Sequence, residues 1–201
     1  MNHHLPHFDM NTHNPALFTS LLFFIPLGVF AHATPGGSGF YTGLEHPIGG
    51  LDHVLAMVAV GIWAAQAGGK STWILSGTFL GTMFIGGVLG AMGVPLPLVE
   101  PGIVASILLA GILVLGAFRL PLTGGCILIG VLAIFHGHAH GTEMPDLMNL
   151  LVYAAGFAIT TALLLLNGIL FGIWMRKLNL ELLPRIAGGL IALGGIALLV
   201  G

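Results

Sequence analysis

Charge is what this chain has least of. Five lysines and arginines and seven aspartates and glutamates are spread over 201 residues, 6% in all. Soluble domains carry about 25% charged residues. A surface in water cannot be dressed with so few, so a water-soluble fold is excluded and an all-α integral membrane protein is expected. The few basic residues give no electrostatic support for binding nucleic acid. Cys126 is the one cysteine, so no intramolecular disulfide can form. It sits in the middle of an apolar run, where a thiol usually packs as a small apolar group. No Gly-x-Ser-x-Gly element occurs, which leaves a serine hydrolase unsupported. Gly69-Lys70-Ser71 matches the end of a phosphate loop, but Ala64 stands where that motif needs glycine. No ATP site is expected.

Long apolar runs and glycine are what the chain has most of, with 56% hydrophobic residues and 32 glycines. Glycine on apolar runs suits closely packed transmembrane helices. Small-residue faces of this kind permit a homo-oligomer without requiring one. Leu17 to Phe30 is a short apolar stretch broken by Pro26 and followed by Ala31-His32-Ala33. This predicts a signal peptide over residues 1–33, although the stretch before it holds histidines and no Lys or Arg. Cleavage after Ala31 would leave His32 as the new N-terminus, whose amine and imidazole could chelate a metal. Residues 34–201 are then a transmembrane domain of six helices. The apolar segments run over 47–66, 72–93, 99–118, 122–140, 147–174 and 183–200, each near the ~20 residues a span requires.

Lys70, Arg119, Arg176, Lys177 and Arg185 all fall in loops at one end of this alternation. The positive-inside rule makes that end cytoplasmic. The expected location is the bacterial inner membrane, with the mature N-terminus periplasmic.

Histidine and acid gather at the other end. One cluster reads His46-Pro-Ile-Gly-Gly-Leu-Asp52-His53, and the other Phe135-His136-Gly-His138-Ala-His140-Gly-Thr-Glu143-Met-Pro145. Ionisable groups within a bilayer are costly and mark functional pathways. Imidazole with carboxylate is a ligand set for divalent transition metals. Pro47 suits the first turn of a helix. From such a start, His46 and His53 lie two turns apart on one face, with Asp52 beside His53. Met57, a turn deeper, is either a soft ligand or a residue filling an apolar gap. His136 and His140 share a face at i and i+4, and Glu143 follows three residues on if the helix lasts. Gly137 and Gly141 could instead let that helix unwind and expose carbonyls. His138 points elsewhere and is a supporting partner, an entrance ligand or an interfacial residue. Glu100 is a ligand, an entrance charge or a helix-start residue. Pro145 and Asp146 suit the start of the fifth span. Gly77, Gly81, Gly86 and Gly90 stripe the second span as a packing face.

At these residues the chain resembles the HupE/UreJ family of nickel/cobalt permeases. The first-span signature His-Pro-x-x-Gly-x-Asp-His is met by His46, Pro47, Gly50, Asp52 and His53. The second is met by Phe135-His136-Gly137, Ala139-His140-Gly141, Glu143 and Pro145. The resemblance implies uptake of Ni2+ or Co2+ as transported substrate, with no enzymatic activity and no organic cofactor. It implies metal ligation by His46, Asp52, His53, His136, His140 and Glu143. From the residues alone two rivals stay open. One is an intramembrane Zn-dependent hydrolase with Glu143 as general base. The other is a haem protein using two facing histidines.

Overall fold

A computed structural model of the chain describes residues 39–143 and 150–200. The expected signal peptide, His32 and the Pro145-Asp146 helix start lie outside these residues. The described residues form seven helices: α1 Gly39–Gly49, α2 Leu51–Ala67, α3 Gly69–Ala91, α4 Val99–Gly116, α5 Leu122–Thr142, α6 Leu150–Lys177 and α7 Leu182–Val200. Helices α3 to α7 are each long and apolar enough to cross a membrane, and the bent pair α1–α2 makes a sixth by length and composition. The protein is an all-helical membrane protein.

Where one span was expected to begin at Pro47, the chain makes two helices. Pro47 lies inside α1, near its end. Proline has no N–H to return to the carbonyl four residues back and its ring crowds that carbonyl, so a helix rarely runs far past it. Gly50 is extended (φ −103°, ψ 121°) and starts α2. The two axes differ by 79°. His46 and His53 are therefore on different helices, not two turns along one face.

Helix α2 is central. From Ala56 to Ala65 every residue except Val58 is buried. It packs on α6, α4, α3 and α7, while α3 pairs with α5 and α4 with α7. Helix α1 lies across α6. Gly68 alone joins α2 to α3, at φ 76° and ψ 170°. That conformation is open to glycine and strained for any side chain. Thr72 Oγ1 donates to Ala64 O across this tight corner at 2.9 Å.

Lipid tails are as apolar as leucine, so burial of apolar area does not hold such helices together; close packing does. Helices α3 and α5 meet through glycine. A Cβ on Gly137 would lie 1.9 Å from Met83 O, and one on Gly141 2.0 Å from Gly87 O. From the other side, a Cβ on Gly86 would lie 2.4 Å from Ile134 O and one on Gly90 2.3 Å from His138 O. Helix α5 accordingly runs unbroken to Thr142. Its glycines serve approach, not unwinding. Gly77 and Gly81 share the stripe but meet nothing within 4 Å. They border an apolar cavity of about 390 Å³ between α3, α5 and α6 instead.

One end of the bundle is basic. Arg176 Nη1 donates to Ala65 O at the end of α2 (3.1 Å). Arg185 donates through Nε to Leu115 O (3.0 Å) and through Nη2 to Gly116 O (3.3 Å) at the end of α4. A cation on the last carbonyls of a helix complements its dipole. Asp52 and His53 occupy the first turn of the same α2, so the histidine and arginine ends are opposite.

Candidate metal centre

Three helix termini converge at the histidine end: the last turn of α1, the first turn of α2 and the last turn of α5. The bend at Gly50 folds His46 back toward His53, their ring centroids 6.5 Å apart. His140 lies between them, 4.6 Å from the His46 ring and 4.0 Å from that of His53. The His136 ring is 5.2 Å from His53. Four imidazoles thus form one connected group.

The carboxylates join it from both sides. Glu143 caps the end of α5, and its Oε2 lies 3.3 Å from His46 Nε2. Asp52 Oδ1 lies 2.9 Å from His53 Nδ1. That contact is an ion pair in distance, without the alignment of a regular hydrogen bond. Oxygen and nitrogen stand side by side, as two donors to one cation would. Gly50 leaves room for them: a Cβ there would meet Asp52 Oδ1 at 2.6 Å and His53 Nδ1 at 2.7 Å.

Two halves differ in exposure. His46, His140 and Glu143 each offer a ligand atom within 4.8 Å of the others, and Glu143 is exposed. Two donors on one first-row ion stand at most about 4.2 Å apart, twice a bond of about 2.1 Å. A shift of about half an ångström would close this outer trio on an ion. The inner half ends at His136, which is fully buried; His53 is buried too, while Asp52 is about as exposed as His46. His140 has both ring nitrogens buried without a hydrogen bond, and His53 Nε2 and His136 Nδ1 are so too. A buried polar atom left unpaired costs about 1–3 kcal/mol. Lone pairs gathered beside two carboxylates fit a borderline divalent transition-metal cation.

The remaining sequence candidates lie elsewhere. His138 donates from Nε2 to Val94 O, 2.7 Å away in the α3–α4 link, so it holds that link to α5. Met57 is fully buried in the apolar core. Glu100 is exposed in the first turn of α4, where an acid complements the helix dipole. Two residues of the surroundings, Phe157 and Ser106, were not expected. Phe157 and Tyr153 on α6 wall the group, Phe157 lying 4.4 Å from the His140 ring and Tyr153 6.0 Å from that of His46. Ser106 on α4 touches His136 at 2.5 Å. The signal for Ser106 was present: it is the one hydroxyl in the apolar run of α4.

No solved structure matches the chain. It is 44% identical over 186 residues to Protein HupE of Rhizobium leguminosarum bv. viciae, covering 91% of this chain and 97% of that one. A family model described as HupE / UreJ protein matches residues 20–198. The chain belongs to the HupE/UreJ family.

Proposed function

We propose that this protein carries Ni2+ or Co2+ inward across the bacterial inner membrane, with the histidine end facing the periplasm. The observation that carries the reading is the group of four imidazoles and two carboxylates at one end of the bundle, with both His140 nitrogens, His53 Nε2 and His136 Nδ1 buried and without a hydrogen bond. Its resemblance to nickel/cobalt permeases supports the choice of metal. Nitrogen and oxygen donors suit Ni2+ and Co2+ better than Cu+, which prefers sulfur.

Glu143, the most exposed of the six, and His136, the most deeply buried, set the two ends of the path. Glu143 and His46 meet the hydrated ion first. His140 is shared: it belongs to the outer trio and its ring lies 4.0 Å from His53. The ion exchanges waters for the outer donors and passes through His140 to Asp52, His53 and His136. Each site must bind well enough to admit the ion and weakly enough to release it. With three donors of its own, the outer half does not close round the ion as a four-ligand structural site would.

Inside-negative potential then drives entry. A divalent ion gains about 4.6 kcal/mol per 100 mV, twice the value for one charge. Sealed vesicles of the purified protein should therefore accumulate Ni2+ faster under an imposed potassium diffusion potential of about 100 mV, inside negative, than at zero potential. Equal initial rates in both conditions would contradict electrogenic entry.

A further inference from the structure

We infer that Ser106 is a positioning residue that fixes the tautomer of His136, so that Nδ1 is the atom His136 presents to the metal. The inference rests on the reading of His136 as a ligand given above.

Ser106 Oγ lies 2.6 Å from Ile103 O and 2.5 Å from His136 Nε2, and all three groups are buried. Contacts this short need a hydrogen between the heavy atoms. A carbonyl oxygen brings none, so the serine proton lies toward Ile103 O, the usual back-bond of a helical serine. The hydroxyl has no second proton. Nε2 of His136 must bring its own and donate to Oγ. A neutral imidazole with Nε2–H has its lone pair on Nδ1.

The rest of the surroundings agrees. His136 Nδ1 is buried and without a hydrogen bond. His53, which is beside Asp52, is the neighbouring ring at 5.2 Å. The apolar ring of Phe79, 6.5 Å away, offers no competing acceptor. Metal-binding imidazoles commonly donate their other N–H to an oxygen acceptor, which orients the ring and strengthens it as a ligand. Here a hydroxyl on α4 performs that task for a ligand on α5. It also ties the site to a helix that contributes none of the proposed ligands.

Two measurements test this. In the metal-free, full-length wild-type protein, nitrogen-15 chemical shifts of labelled histidine should show His136 protonated at Nε2, and Ser106→Ala should give a mixture of tautomers. Protonation at Nδ1 in the wild type would overturn the inference. Titration with Co2+, followed by its visible absorption, should show affinity about 10- to 100-fold weaker in Ser106→Ala. Ser106→Thr, which keeps the hydroxyl, should bind like the wild type. Loss of binding in His136→Ala without loss in Ser106→Ala would remove the role of Ser106 alone. Equal Co2+ affinity in wild type and His136→Ala would sink the ligand reading itself, and this inference with it.

Discussion

Replacing His140 by leucine is expected to abolish useful metal binding while leaving the metal-free protein at least as stable as the wild type. His140 stands between the His46 and His53 rings and is common to both halves of the site. Structural divalent sites gain about 10–16 kcal/mol in all, so one ligand among roughly four is worth about 3 kcal/mol. Affinity should therefore fall by on the order of 100-fold. Stability should move the other way. Both ring nitrogens are buried and unpaired, each a cost of about 1–3 kcal/mol that leucine does not carry. Leucine is close to histidine in volume, and its neighbours Phe157 and the cavity wall are apolar. Thermal unfolding of the solubilised, metal-free protein should show an equal or higher midpoint in His140→Leu, and Co2+ titration a lost site. A midpoint that falls by several degrees would mean that His140 holds the fold and not an ion.

The second large effect concerns packing. Gly137→Ala is expected to destabilise the protein by about 3 kcal/mol, at the upper end of what overpacking usually costs. The new methyl would lie 1.9 Å from Met83 O, a backbone atom with no rotamer to change. Carbon and carbonyl oxygen rest about 3.3–3.6 Å apart, so α3 and α5 would have to separate by more than an ångström. Gly77→Ala is the control. It lies on the same α3 stripe but faces open space, and alanine in a helix is favoured over glycine by about 0.5–1 kcal/mol. Unfolding midpoints should fall for Gly137→Ala and hold or rise for Gly77→Ala. Equal midpoints would show that the α3–α5 approach is looser than described.

That contrast also marks how far the sequence could be read. Gly77, Gly81, Gly86 and Gly90 repeat at helical spacing, and nothing in the pattern separates the first two from the last two. Only the partner does: Gly86 and Gly90 meet α5, while Gly77 and Gly81 meet a cavity. Helices apolar on every side carry no stripe to show which face is inward. The presence of the five long helices α3 to α7 was legible because length and hydropathy mark them without regard to neighbours. The two histidine clusters were legible for the same reason, as costly residues in apolar runs.

The break at Gly50 was not. Pro47 is equally at home in the first turn of a helix and shortly before one ends, and the local sequence allows both. Its consequence is large, because the bend brings His46 to His140 and Glu143. Ser106 and His136 are 30 residues apart and meet only through the packing of α4 on α5. A lone hydroxyl in an apolar helix could mark Ser106 as needing a partner, but not which one.

The measurement closest to the central claim is accumulation of radioactive Ni2+ in sealed vesicles of the purified protein, wild type beside Asp52→Ala and His136→Ala. The account predicts time-dependent accumulation in the wild type that both substitutions abolish. Metal bound to the protein but never gathered inside the vesicles would contradict a carrier, and accumulation untouched by either substitution would contradict a path through the cluster.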